Sequence, residues 1–221
     1  MLSFTEENYL KAIYKIAERN GDQNISTKAI SEELGTSSAS VTDMIKRLAE
    51  KQLLGYEKYY GVHLNKEGQK IALELVRKHR LWEVFLYEKL GFKWDEIHDV
   101  AEQLEHIQSF TLIQKLDEFL NYPKFDPHGD PIPNQNGSFT FRHQTQLCNI
   151  KTKGTRVQVL GVRTSGAEFL KYLEGMSIYP GKELSILEYT HFDKSLMLKN
   201  EVSKTITLSF NVSKEILVKT V

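Results

Sequence analysis

Apolar positions recur at helical spacing through the first half of the chain and at strand spacing through the last third. Over 5–19, Tyr9, Leu10, Ile13, Ile16 and Ala17 fall three and four residues apart, with Thr5 placed as N-cap and Gly21-Asp22 as the stop. Ser26–Leu34 reads as a short helix that turns Ala29, Ile30 and Leu34 inward and closes on Gly35. Thr36 or Ser37 then caps a third helix reaching about Gln52, with Val41, Ile45 and Leu48 as its apolar face. Two helices joined by a short Gly-containing turn are the helix-turn-helix signature. Leu54–Tyr59 and Val62–Leu64 flank Tyr60-Gly61 and are expected to pair as a hairpin, the wing of a winged helix.

Lys66–Leu90 predicts a long amphipathic helix ended by Gly91, and Asp95–Leu104 another that continues or kinks into Glu105–Leu120. Four of the five prolines fall within Tyr122–Gly137, which must be loop, and Ser138–Thr145 reads as an irregular connector. Strand-like stretches then follow at Thr155–Val162, Glu183–Tyr189, Ser195–Leu198, Thr205–Phe210 and Ile216–Val218, around one short helix, Gly166–Leu173. Such spacing with Gly turns predicts a small β-barrel. The expected class is α+β, with a winged-helix domain over 1–65, a helical domain over 66–145 and the barrel over 147–221.

Composition changes this picture in one respect. The net charge of the 221 residues is zero, which argues against an indiscriminate nucleic-acid binder, but residues 91–130 hold three Lys/Arg against nine Asp/Glu. Three histidines share that acidic stretch, so a cation would be welcome there. The single cysteine, Cys148, rules out an internal disulfide and fits a reducing compartment. Polar residues at the start and no run of membrane-spanning length lead us to expect a soluble, cytoplasmic protein.

The third helix begins with small hydroxyl-bearing residues. Thr36, Ser37, Ser38, Ala39, Ser40 and Thr42 would let its N-terminus approach base edges, and Asp43 would accept from a cytosine amino group. Lys46 and Arg47 on the next turn, and Lys58 on the wing, are the candidate phosphate contacts. The plain alternative is that these hydroxyls only cap the helix, which is the better account of Ser37 taken alone.

His98, Glu102, Glu105 and His106 fall at i, i+4, i+7 and i+8, which on one continuous helix would share a face. His79 and Glu83 repeat the imidazole–carboxylate pairing on the preceding helix. Neighbouring buried carboxylates take up protons unless a cation compensates, so six such residues point to a divalent metal of the Mn, Fe or Zn kind. The Asp126-Pro127-His128-Gly129 loop adds a further acid and imidazole two residues apart; by itself a solvated turn explains it equally well.

These segments together resemble the diphtheria toxin repressor and manganese transport regulator family of metal-dependent transcription factors. The carriers are EENYLKAIY, SSASVTDMIKRLAEKQLL, YEKYYGVHLNKEG, RKHRLWEVFL, HDVAEQLEH and DPHGDPIP, in that order. The resemblance is strong over 4–145 and weaker over 147–221, where it implies an SH3-like domain of the FeoA type. It implies a primary metal site at Asn8, Glu102, Glu105 and His106. It also implies an ancillary site of His79, Glu83 and His98, with Glu168 as a C-terminal contributor, or a second site joining Asp126 and His128 to Glu83. The sequence departs from the family in carrying Asn at 8 and Lys at 11, where the closely spaced two-manganese site needs a Glu.

The resulting expectation is a cytoplasmic, metal-activated repressor, not an enzyme, that binds a palindromic operator in double-stranded DNA as a homodimer and has no membrane partner. Residues 66–120, including Leu81, Trp82, Phe85, Leu86 and Phe110, would supply the dimer interface or equally the intrachain core. The oxygen-rich ligands favour Mn²⁺, then Fe²⁺, with Zn²⁺ or Co²⁺ binding in vitro. The ion is expected to act by relieving carboxylate repulsion and fixing the DNA-binding domain in one pose. Two other readings stand beside it, a winged-helix regulator of an organic ligand and a metal-dependent hydrolase. The second lacks any nucleophile–base pair, phosphate-cradling loop or HExxH arrangement.

Overall fold

The computed structural model describes the whole chain except Met1, Asp22, Gln23, Lys58, Tyr59, Ser165 and Ser203, so the candidate phosphate contact Lys58 lies outside the described residues. The chain forms two compact units. One comprises 1–79, 102–113 and 133–138, the other 80–101, 114–132 and 139–221.

The first unit is built on α1 (Phe4–Asn20), α2 (Thr27–Leu34), α3 (Ser38–Glu50) and the hairpin β1 (Leu54–Glu57) with β2 (Gly61–Leu64). Ser3, not Thr5, caps α1. Its hydroxyl accepts from the Glu6 amide while the Glu6 carboxylate takes the Ser3 amide, a reciprocal box that an S-x-x-E spacing allows and Thr5 cannot form. Ser26 and Ser37 cap α2 and α3 in the same single-bond manner. Leu10, Ile13, Ile30, Val41, Ile45, Leu48 and Val62 meet in one buried core. The wing is tied to that core where Ile25 and Val62 exchange backbone hydrogen bonds of 2.8 Å. A Cβ on Gly61 would stand 2.7 Å from the Ile25 carbonyl oxygen, so only glycine fits this crossing.

The long helix α4 (Lys66–Leu90) continues from the wing. Leu81, Trp82 and Leu86 on it are buried within the single chain, whereas Phe110 is exposed. The expected helix over the acidic stretch is two helices, α5 (Ile97–Leu104) and α6 (Phe110–Phe119). Ser109 starts the second by accepting from the Leu112 amide, so the chain cannot carry one helical face through it. Glu105 and His106 therefore stand in the turn after α5, and the shared-face spacing holds only as far as Glu102.

In the second unit, 139–221 form a six-stranded antiparallel sheet in the order β3-β8-β4-β5-β6-β7. Its strands are β3 (Thr145–Gln146), β4 (Arg156–Val162), β5 (Glu183–Tyr189), β6 (Leu196–Asn200), β7 (Thr205–Leu208) and β8 (Ile216–Thr220). β3 and β7 stand at its two edges, so it is an SH3-like sheet rather than a closed barrel. Helix α7 (Ala167–Gly175) contributes Leu170 and Leu173 to its core, and α8 (Phe210–Ser213) takes the end of the stretch expected as strand 205–210. No helix among the described residues is long and apolar enough to cross a membrane.

Candidate metal centre

Two clusters of acids and imidazoles form, one in each unit. The first gathers α1, α4 and the turn after α5. Glu105 is 1% exposed, and its Oε2 lies 2.6 Å from both the Lys11 Nζ and the His79 Nδ1. Glu102, half exposed, reaches the same lysine at 3.6 Å. An ionised carboxylate only accepts, so His79 donates to it from Nδ1. Burial pushes the Glu105 carboxyl up, but the His79 hydrogen bond and the positive charges of Lys11 and His79 outweigh it and hold the group below its ordinary value. The other oxygen of Glu105, Oε1, is buried without a hydrogen-bond partner.

His106 follows in the turn. Its Nδ1 lies 2.6 Å from Glu7 Oε2, and the Gln108 amide donates to Glu7 Oε1 at 2.8 Å. The Phe4 ring stacks on the imidazole with centroids 4.6 Å apart. This bond places a His106 proton on Nδ1, the arrangement in which a carboxylate supports a metal-binding histidine through its other ring nitrogen. Asn8, the expected α1 contributor, is exposed and lines a hollow of about 520 Å³ with Thr36, Ser40, Asp43 and Arg47. The α1 residues that reach the cluster are Glu7 and Lys11. Glu7 had no role in the sequence reading and Lys11 entered it only as a departure from the family, although their i, i+4 spacing puts them on one helical face.

The second cluster joins α4, α5 and the loop after α6. Ligand atoms of Glu83, Asp126 and His128 all lie within 4.8 Å of one another, and all three residues are buried. Glu83 Oε1 is 3.4 Å from His128 Nδ1 and 3.3 Å from His98 Nδ1. His128 Nε2 donates to the Trp94 carbonyl at 3.2 Å. Asp126 Oδ1 accepts from the amides of His128 and Asp130, both at 2.9 Å, while Oδ2 faces Arg80 Nε at 3.6 Å. Burial disfavours the His128 imidazolium, yet the hydrogen bond and charge of Glu83, helped by Asp126, lift its pKa to about 9. Burial and then the charges of Asp130 and Glu83 raise the Asp126 carboxyl well above its usual range. Glu168 is exposed on the first turn of α7 and belongs to neither cluster.

The candidate DNA-reading residues lie along the start and outer face of α3. Ser37, Ser38, Ala39, Ser40, Thr42, Asp43, Lys46 and Arg47 are exposed, and Thr36 is half-buried. Some hydroxyls are spoken for: Ser37 caps the Ser40 amide and Thr42 donates to the Ser38 carbonyl at 2.8 Å. Asp43 pairs loosely with Lys46 at 3.8 Å.

Three family models match the chain in succession. They are the iron-dependent repressor N-terminal DNA-binding domain over 1–62, the iron-dependent repressor metal-binding and dimerisation domain over 65–134, and the FeoA domain over 146–220. The transcriptional regulator MntR of Oceanobacillus iheyensis is 39% identical over 120 residues, 54% of this chain and 80% of that protein. The diphtheria toxin repressor of Corynebacterium jeikeium is 29% identical over 195 residues, 88% of this chain and 78% of that one. A solved manganese-dependent transcriptional repressor in complex with manganese matches with a TM-score of 0.82 at 32% identity, covering 97% of this chain and 99% of its own.

Proposed function

Because the chain belongs to the diphtheria toxin repressor and manganese transport regulator family of metal-dependent transcriptional repressors, we propose that a divalent ion held by Glu102, Glu105 and His106 sets the pose of its helix-turn-helix on DNA. The observation that carries this reading is Glu105 Oε1, a buried carboxylate oxygen without a hydrogen-bond partner, next in sequence to an imidazole whose tautomer Glu7 has fixed. A buried acceptor left unpaired is costly, and a cation satisfies it. The ion, once bound, supplies positive charge and fixed coordination directions. The protein supplies a rigid connection from that charge to the recognition helix. Glu7 and Lys11 lie on α1, whose apolar face (Leu10, Ile13, Ile16) packs in one core with Ile30 of α2 and Val41 and Ile45 of α3.

The first centre takes one ion. Lys11 Nζ already lies against Glu105 Oε2 and close to Glu102, where a second closely spaced ion would have to bind. The same lysine modifies the switch expected from the sequence. Glu105 is not left to repel its neighbours when the ion is absent, because Lys11 and His79 compensate it. The ion works by fixing geometry more than by relieving repulsion.

A second ion binds Glu83, Asp126 and His128, with His98 on the same Glu83 oxygen. The oxygen-dominated donors favour Mn²⁺, with Fe²⁺ next and Zn²⁺ or Co²⁺ binding in vitro. A homodimer then presents two α3 helices to a palindromic operator, in the cytoplasm. The decisive experiment is a fluorescence-anisotropy titration of a selected operator duplex with Mn²⁺ and Fe²⁺. Glu105→Gln or His106→Ala abolishes the metal-stimulated binding while leaving a folded dimer. A full response to both ions in either variant overturns the assignment.

A further inference from the structure

The loop that carries Asp126 and His128 is held from two sides. From within, the Asp126 and Asp130 backbones bond at 2.9 Å and the Gly129 amide returns to the Asp126 carbonyl at 3.0 Å. From outside, it rests on β4 of the C-terminal sheet with no side chain between the two backbones. The Val162 amide donates to the His128 carbonyl at 2.8 Å. A Cβ on Gly161 would stand 2.2 Å from that carbonyl oxygen and 2.6 Å from the Gly129 Cα. A Cβ on Gly129, which sits at φ +93°, would meet the Gly161 Cα and the Leu160 carbonyl oxygen at 2.6 Å. Arg142 closes the joint. One guanidinium nitrogen donates to Gly129 O and to Leu160 O, each at 2.9 Å, and the group lies 3.8 Å over the Phe125 ring. The pairing of β4 with β8 shifts register between Val159 and Gly161, which fits the irregular edge presented there.

We infer that β4 of the C-terminal sheet is a wall of the second metal centre, with Gly161 and Arg142 as positioning residues that seat the His128 loop against Glu83. The sheet then governs the second ion without donating a ligand, which accounts for a C-terminal domain whose Glu168 is exposed outside the cluster. The inference rests on the second-centre reading above. Coupling of this kind runs both ways, so an ion that fixes His128 must also protect the Val162 amide bonded to its carbonyl.

The test uses the full chain and two probes. Co²⁺, followed by its visible spectrum, counts centres, and hydrogen exchange of the segment containing Val162 reports on the seat. The unaltered protein should take up Co²⁺ in two steps, the second of which slows Val162 exchange. His128→Ala should lose that step and its protection; if it keeps both, the second-centre reading itself fails. Gly161→Ala and Arg142→Ala should each weaken the second step about tenfold or more and abolish the Val162 protection, leaving the first step intact. Gly175→Ala, where an added Cβ meets nothing within 4 Å, should change neither. Should Gly161→Ala fail to fold, Arg142→Ala decides alone. A normal second step in Arg142→Ala, with Val162 still protected by Co²⁺, overturns the inference.

Discussion

Glu7 Oε2 lies 2.6 Å from His106 Nδ1, a bond between residues 99 apart in sequence that ties the first helix of the DNA-reading unit to the turn after α5. On the proposed reading it holds the ring in the tautomer that offers Nε2 to the ion. Glu7→Ala is expected to weaken the first ion about 10- to 100-fold while circular dichroism stays unchanged, as loss of a supporting carboxylate does elsewhere. Calorimetric titration with Mn²⁺ checks it, and an unaltered affinity would remove Glu7 from the site.

Lys11→Met takes a nearly buried ammonium away from a carboxylate 1% exposed. The ion-free protein is expected to lose up to about 3 kcal/mol of stability, because the buried charge keeps only His79 of its two partners. Chemical unfolding in the presence of a chelator measures it. Saturating Mn²⁺ should recover part of the loss.

The His128 imidazole, with its pKa lifted from 6.5 to about 9, gives a pH dependence of known sign. In the ion-free protein its attraction to Glu83 stabilises the fold fully below about 6.5 and is lost as pH rises through about 9. A metal ion must displace that proton, so affinity at the second centre should fall roughly tenfold per unit as pH drops from 8 to 7. Titrations in buffers of different ionisation enthalpy should register about one proton released. His128→Asn should flatten the profile.

Arg47 is exposed on α3. Arg47→Ala is expected to weaken operator binding and to lower the salt dependence of log K by about one per protomer, as loss of one phosphate contact does. Anisotropy at several salt concentrations separates this from a fold defect, which would alter affinity without changing the slope.

Much of this architecture was legible because the deciding signals are local. Ser26 and Ser37 before apolar runs, Gly35 after one, and the Tyr60-Gly61 turn mark element ends through single hydrogen bonds or a single backbone angle. His106 and Glu105 were legible as chemistry but not as geometry. Their spacing fits a helix, and only the competing cap at Ser109 ends it. Glu7, and the contacts that Lys11 makes, stayed hidden because their partners are 99 and 94 residues away, and nothing short of the folded packing of α1 brings them together. Asn8 misled for a related reason: it follows Glu7, and a one-residue shift along a helix turns a side chain by about 100°, which here exchanges the cluster for the hollow beside α3.

Lys11 cannot be chelated, washed out or outcompeted. A cell short of the ion therefore holds this repressor idle, with most of its inner charge already balanced, and the molecule need not swell or partly unfold before it can be called on again. On the proposed mechanism, re-arming then requires the ions to arrive in a scaffold whose buried carboxylate is already compensated.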